Sequence, residues 1–217
     1  MTDEATRQNQ AVYDRIAAGY ARRQAGRDES FADLMDALMD ALTARLPAGA
    51  LVADLGCGPG HDGLRLARAG HRVLGVDRSA GMAAIAAQSL AGRVARGDLR
   101  QLPLASASLD GIWCCASLLH VPQDQTPAVL AEMRRVLRPT GHLALITAVG
   151  DGTRLEPVPY APDAERWYFY RRAEELSGQL AAAGLWVLST SEEVTNRHWL
   201  KALCVCGRTS DQSAGVV

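Results

Sequence analysis

The run LVADLGCGPGH, residues 51–61, limits what this chain can fold into more than any other stretch. Leu51, Val52, Ala53 and Leu55 form a short apolar segment suited to a buried strand, and Gly56, Gly58 and Gly60 then let the backbone turn sharply at its exit. Downstream, short apolar runs alternate with helix-like segments, the pattern of βαβ units wound around a parallel sheet. Strands are predicted near 51–55, 72–76, 93–96, 111–115 and 142–148. The helix between the first two starts at the glycine turn and stops at Gly70, Ser79 is placed to cap the next, and Thr126-Pro127 opens the third. Leu130, Met133 and Leu137 then face inward, and Arg138-Pro139-Thr140-Gly141 turns the chain into the fifth strand.

Two helices precede this unit. Tyr13, Ile16, Ala17 and Tyr20 recur at helical spacing. Phe31, Leu34, Met35, Leu38, Met39, Leu42 and Leu46 trace an apolar stripe behind a Ser30/Asp33 capping pair and end near Pro47. After Val149 the rhythm breaks: residues 150–171 carry Gly, Pro and charge before Trp167, Tyr168, Phe169 and Tyr170, and read as a long loop crossing a ligand site. A helix near 172–183 and strands near 185–191 and 199–207 finish the fold. The expected organisation is one α/β domain over 1–208, with residues 1–48 as a helical cap and 209–217 as a flexible tail.

Lys plus Arg (23) nearly cancels Asp plus Glu (24), so no broad basic field exists to displace counterions from a nucleic acid. The first ten residues are polar, and no run approaches the ~18 apolar residues of a membrane span. A cytoplasmic monomer or homodimer is expected, without nucleic-acid or membrane partners. The five cysteines fit free thiols in a reducing compartment. Cys114 and Cys115 would face opposite sides of a strand, and Cys204 with Cys206 supplies too few ligands for zinc.

A parallel sheet receives its ligand outside the carboxyl ends of its strands, which gathers Asp54 to Gly60, Asp77, Asp98 and residues 115–121 into one candidate site. Asp77 ends the second strand 21 positions after Gly56, where an acid accepts from ribose hydroxyls. That suits NAD and other adenosine cofactors alike. Asp54 separates them, because a carboxylate repels the pyrophosphate that a glycine turn and helix N-terminus would hold, and attracts an ammonium or sulfonium instead. The spacing Gly56-x-Gly58-x-Gly60 also departs from the dinucleotide pattern G-x-G-x-x-G. With Asp98 beyond the third strand, three acids and no compensating lysine describe a site for a neutral-to-cationic adenosine compound.

Through VADLGCGPG, GVDRS, GDLRQLPL, SLDGIWCCASLLHVP and RVLRPTGHLALI, in that order, the chain resembles the class I S-adenosylmethionine-dependent methyltransferases, specifically their broad small-molecule group. The likeness covers roughly residues 12–207. It implies a Rossmann-like, doubly wound seven-stranded sheet of order 3-2-1-4-5-7-6 with the last strand antiparallel. It also implies S-adenosylmethionine as cofactor and S-adenosylhomocysteine as product. Position by position, Asp54 and the loop of Gly56, Cys57, Gly58 and Gly60 would border the methionine moiety. Asp77 would take the ribose hydroxyls, with Arg78 and Met82 beside the ligand. Asp98 would face the adenine amino group, with the Leu99 amide on a ring nitrogen and Arg100 alongside, while the main chain of Cys115 and Ala116 lies by the ligand's amino group. Tyr13 and Tyr20 either cover the cofactor or simply pack, and Arg23 either pairs with the ligand's carboxylate or is solvated.

A methyl group on a sulfonium is already activated, so transfer rests mainly on positioning. His120 is either a base for the acceptor, a substrate contact or a hydrogen-bonded structural histidine. Trp167, Tyr168, Tyr170 and Arg171, with His198 or Arg197 from the last hairpin, are candidates for the acceptor wall. The segment CCASLLHV lacks the Asn/Asp-Pro-Pro-aromatic motif of amino-methylating nucleic-acid and protein enzymes, and the acid with which catechol-type enzymes hold magnesium. Metal-free transfer to a small organic acceptor is therefore expected, with secondary metabolism as the setting the resemblance suggests. Two other readings stay open: a cofactor-binding partner or regulator that does not methylate, and an NAD-dependent oxidoreductase.

Overall fold

The structure, a computed structural model, describes residues 2–24 and 29–207. Helices α1 (Thr2–Gln24) and α2 (Glu29–Thr43) precede β1 (Leu51–Leu55), α3 (His61–Arg68), β2 (Arg72–Asp77), α4 (Ala80–Ser89), β3 (Val94–Arg96) and β4 (Leu109–Cys115). Then come α5 (Thr126–Val136), β5 (Leu137–Ala148), β6 (Thr153–Val158), β7 (Ala161–Phe169), α6 (Ala173–Ala182), β8 (Leu185–Val194) and β9 (His198–Cys206). The apolar runs β1 to β5 pair in parallel, β9 runs antiparallel beside β5, and β8 closes the edge, giving the order β3-β2-β1-β4-β5-β9-β8. Leaving out β6 and β7, which pair only with each other, this is the predicted seven-stranded order with its last strand antiparallel.

Alternation along the strands decides the layers. On β1, Ala53 and Leu55 point into a core shared with Ile112, Leu143 and Leu145 and covered by Leu130 and Met133 of α5 and Leu176 and Leu180 of α6. Val52 faces the other way, toward Leu34, Met35 and Leu42 of α2, Leu66 of α3 and Trp113. Cys114 lies in the first core and Cys115 packs against the second, while Cys204 and Cys206 share the first; all are free thiols. A smaller cluster of Ile16, Ala17, Met82, Val158 and Ala164 fastens α1 to α4 and to the β6–β7 hairpin.

Local signals behave as their chemistry requires. Ser79 Oγ accepts from the Met82 amide at 3.1 Å, capping α4. Gly70, at φ +92°, follows α3 and donates to the Ala67 carbonyl. Pro127 sits in the first turn of α5. Helix α2 begins at Glu29, so Ser30 lies inside its first turn rather than ahead of it.

Two expectations need correction. Residues 150–171 are not an open loop, because β6 and β7 form an antiparallel hairpin running from Thr153 opposite Phe169 to Val158 opposite Ala161. Pro157 and Pro162 disguised it, yet a two-stranded ribbon has free outer edges where a missing N–H costs little. Nor is 138–141 a simple turn: β5 starts at Leu137, opposite Leu109, and the irregularity, with Thr140 at φ +67°, is absorbed within the strand. The stretch 209–217 lies outside the described residues. No helix among the described residues is long and apolar enough to cross a membrane.

Candidate active site

At the carboxyl ends of β1 to β4 lies a cavity of about 140 Å³ lined by Gly56, Gly58, Asp77, Arg78, Met82, Asp98, Leu99, Arg100, Cys115 and Ala116, with Thr6, Asn9, Gln10, Tyr13 and Tyr20 of α1 above. A larger cavity, about 560 Å³, opens toward the hairpins and is lined by Arg23, Phe31, Cys57, Asp62, Glu156, Tyr160, Arg166, Tyr168, Arg197 and Trp199. Both touch Tyr13, Tyr20, Gly56, Gly58, Cys115, Ala116 and His120, so they meet along a seam between the glycine loop and α1.

The glycine loop is tied down by its own main chain. Gly56 and Cys57 both donate to the Val76 carbonyl, at 2.7 and 3.1 Å, with Gly56 at φ +71°. A Cβ on Gly56 would stand 1.8 Å from Ser117 Oγ and 2.5 Å from Ser117 Cβ, so no other residue fits. Asp77 Oδ2 accepts from the Gly58 amide and Oδ1 from the Ser79 amide, each at 2.8 Å. A carboxylate offers about four acceptor positions, so these amides do not saturate it. Burial raises the Asp77 carboxyl above its usual range, with hydrogen bonds from the Ser79, Gly58 and Arg78 amides working against that rise. Gly60 lines neither cavity; a Cβ there would meet Ala86 at 3.2 Å, and its role is close packing against α4.

The other two acids stand differently from expectation. Asp54 is 2% exposed and lines neither cavity. Its Oδ2 lies 3.1 Å from where a Gly63 Cβ would be, so the carboxylate points under the loop toward α3. Together with burial, Asp54 and Asp77 push the Cys57 thiol far above its usual range and keep it protonated. Asp98 is fully engaged by arginine: Oδ1 accepts from Arg100 N and Nε, both at 2.9 Å, and Oδ2 from Arg78 Nη1 at 2.8 Å and Arg100 Nη2 at 2.6 Å. Burial alone would raise the Asp98 carboxyl, but these hydrogen bonds and charges hold it below the usual range. The charge that lysine does not supply is supplied by two arginines. An adenine amino group reaches this carboxylate only after one of them lets go.

His120 ends a short 3-10 turn after β4, and both its ring nitrogens are occupied. Nδ1 lies 2.9 Å from the Trp167 carbonyl, an acceptor, so that nitrogen carries the proton. Nε2 then accepts from the Tyr13 hydroxyl at 2.6 Å, and the Tyr13 oxygen accepts from Arg166 Nη1 at 2.9 Å. Asn9 locks the arrangement, donating to the Trp167 carbonyl at 2.9 Å and accepting from the Trp167 amide at 2.7 Å. Burial, reinforced by the Arg166 charge, pushes His120 down to about 3, and burial raises Tyr13 well above its usual value. Neither group is set to take up a proton at neutral pH.

Of the predicted acceptor wall, Tyr168 and Arg197 line the larger cavity. Trp167 instead turns outward and donates to Gln8 Oε1 at 2.7 Å. Tyr170 bonds Glu156 and Arg197 behind the cavity lining. Arg171 is a buried clamp on Val121 O, Phe169 O and Thr126 Oγ1, its pKa lowered by burial to about 10. His198 pairs with Glu192 at 2.8 Å on the β8–β9 hairpin and reaches neither cavity. Arg166, Glu156 and Tyr160 line the site without having been predicted. Period-two alternation would have found Arg166: Ala164, Arg166 and Tyr168 are the buried face of β7, a strand concealed by its prolines. Among the described residues, no group of three or more His, Cys, Asp or Glu could hold a metal ion.

Comparison with known proteins places these features. Residues 52–141 match the family described as a methyltransferase domain. Malonyl-acyl-carrier-protein O-methyltransferase of Pectobacterium atrosepticum is 39% identical over 138 residues, 62% of this chain and 53% of that protein. Methyltransferase GfsG of Streptomyces halstedii is 40% identical over 115 residues, 49% of this chain and 40% of that protein. The chain thus spans about half the length of the curated relatives it matches. Among solved structures, 1,6-didemethyltoxoflavin-N1-methyltransferase of Burkholderia thailandensis, with its substrate and S-adenosylhomocysteine bound, is 27% identical. That likeness has a TM-score of 0.65 and covers 91% of this chain and 88% of that one. The sheet order agrees with these likenesses, and over residues 52–141 the chain is similar to S-adenosylmethionine-dependent methyltransferases.

Proposed function

We propose that this chain transfers the methyl group of S-adenosylmethionine to a small organic acceptor. The observation that carries the reading is the pair of cavities meeting at the Tyr13–His120–Gly58 seam, one lined by the adenosine-side residues and the other by aromatic and charged side chains from the hairpins. The smaller cavity has the chemistry for the nucleoside end of the cofactor: Gly56 and Gly58 leave room where side chains would stand, and Asp77 offers an acceptor to ribose hydroxyls. The bound cofactor supplies a methyl already activated on a sulfonium. This chain's residues position it. The glycine loop and Asp77 fix the nucleoside, Tyr13 and Tyr20 close the seam from α1, and Tyr168 with Trp199 walls the acceptor side.

In this reading His120 is a positioning residue, a neutral acceptor that fixes the Tyr13 hydroxyl rather than a base. Asp54 sets the charge beneath the loop, and Asp98 orders Arg78 and Arg100 at the adenine end. The acceptors these relatives are named for, a malonyl group on acyl-carrier protein and N1 of 1,6-didemethyltoxoflavin, bracket the range of acceptors proposed for this chain. A cytoplasmic setting without nucleic acid, as monomer or homodimer, belongs to the same proposal. Calorimetry with S-adenosylhomocysteine and with NAD tests it, alongside methyl-labelled S-adenosylmethionine offered with a metabolite extract. Tight binding of the first ligand only, with label passing to a metabolite, is expected. NAD binding, or cofactor binding with no transfer, overturns the reading in favour of an oxidoreductase or a non-catalytic partner.

A further inference from the structure

The acceptor-side cavity holds a charge that its walls do not balance. Arg166, on the inward face of β7, is 8% exposed, with its guanidinium between the rings of Tyr13 and Tyr168 at 5.4 and 5.5 Å from their centroids. One N–H reaches the Tyr13 hydroxyl, and Nε is buried with no hydrogen-bond acceptor. Among the described residues no carboxylate pairs with it, and the groups that act on its charge are Tyr13, Tyr168 and Tyr20. Its neighbours are committed elsewhere: Glu156 is held by Arg197 at 2.7 Å, and Asp62 accepts from the Trp113 indole at 3.1 Å. A guanidinium stays protonated, and a desolvated charge without a counter-ion is strongly unfavourable, which two aromatic faces offset only in part. Arg166 lines the larger cavity and not the adenosine-side one.

We propose that Arg166 recognises the acceptor, and that the acceptor carries a carboxylate which completes the ion pair while Phe31, Tyr160, Tyr168 and Trp199 hold its carbon skeleton. This rests on reading the chain as a methyltransferase whose acceptor occupies the larger cavity. The rival use of Arg166 is to hold the amino-acid carboxylate of the cofactor itself.

The test uses the full chain with R166Q and the charge-keeping R166K. S-adenosylhomocysteine affinity is measured by calorimetry, and methyl-labelled S-adenosylmethionine is offered with a metabolite extract split on an anion exchanger. The label is expected to pass to molecules in the retained, anionic fraction. Transfer by R166Q should fall on the order of 100-fold and R166K should recover part of it. S-adenosylhomocysteine affinity should stay within about two-fold in all three, which also reports that the variants fold. Acceptors in the unretained fraction, or wild-type transfer by R166Q, overturn the inference and leave the methyltransferase reading standing. A large loss of S-adenosylhomocysteine affinity in R166Q, recovered in R166K, also overturns it, because Arg166 then serves the cofactor. Binding with no label in any fraction removes the methyltransferase reading and this inference together.

Discussion

The carboxyl ends of β1 to β4 and the canopy of α1, β6–β7 and the β8–β9 hairpin close on the same two cavities by opposite means. In the first region partners are near in sequence and much of the bonding is main chain: Gly58 to Asp77 spans 19 residues, Arg78 to Asp98 spans 20, and the loop amides hang on Val76. In the canopy the bonds from α1 to β7 and His120 each use at least one side chain and cross a long separation, 107 residues from Tyr13 to His120, 153 from Tyr13 to Arg166 and 158 from the Asn9 side chain to the Trp167 main chain. The first region is a shape that the local backbone imposes. The second exists only when three separate elements dock, so it can vary side chain by side chain while the first stays fixed. Damage to each should therefore have its own signature: lost cofactor affinity for the loop, lost acceptor handling for the canopy.

The hardest blow to the loop is Gly56→Ala. Its methyl would meet Ser117 Cβ at 2.5 Å, which no rotation of Ser117 relieves, and alanine at φ +71° adds about 1–2 kcal/mol of strain. Loss of more than about 3 kcal/mol in stability or cofactor binding is expected by urea unfolding and calorimetry. The pair Gly56→Ala with Ser117→Gly should recover all but the backbone strain. No recovery in the double variant would show that the clash is not the cause.

Asp77→Ala comes next. It removes the hydrogen bonds to the Gly58 and Ser79 amides and the ribose acceptors, so S-adenosylhomocysteine affinity should fall about 10- to 150-fold, as loss of charged hydrogen bonds worth about 1.5–3 kcal/mol requires. Asp54→Asn should weaken binding less, because its carboxylate reaches neither cavity. The reverse ranking in calorimetry would return Asp54 to the methionine moiety.

This contrast also decides what could be read in advance. The strand order, the Ser79 cap and the acid after β2 depend on neighbours within one βα unit, and periodicity or turn chemistry exposes them. Asp54 was legible as an acid but not as one that points under the loop, because strand alternation assigns its face only once the α3 side is known to be packed. The arginine partners of Asp98 are not legible for a related reason: Arg78 and Arg100 are two residues or fewer from Asp77 and Asp98, yet their convergence depends on how β2 and β3 pair. Trp167 reads from sequence as an acceptor contact and Arg166 does not, because a hidden strand puts adjacent residues on opposite faces.

His120 tests the canopy through pH. Its folded pKa near 3 lies below the unfolded value of about 6.5, so the unfolded chain binds the extra proton first. The stability it confers is complete above pH 6.5 and is lost as pH falls toward 3, with a limiting slope of about 1.4 kcal/mol per pH unit. Between pH 7 and 5, unfolding free energy should drop by about 2 kcal/mol more in the wild type than in His120→Gln. Equal drops in urea titrations at the two pH values would mean that His120 is solvated and that the network does not hold.

The smallest expected effect discriminates best between the two regions. Tyr13→Phe keeps the ring against Tyr20 and His120, at centroid distances of 6.0 and 5.2 Å, and deletes only the hydroxyl between His120 and Arg166. Both former partners face cavities that admit water, so the loss in stability should be about 1 kcal/mol. Because Tyr13 lines both cavities, the variant shows which region owns the seam. If the hydroxyl belongs to the canopy, S-adenosylhomocysteine binds as before while the proposed transfer slows at saturating cofactor, since His120 and Arg166 no longer share a fixed partner. If calorimetry instead shows the cofactor weakened and transfer at saturation unchanged, the seam is part of the nucleoside site, and the division between a backbone-built loop and a side-chain-built canopy must be redrawn at α1.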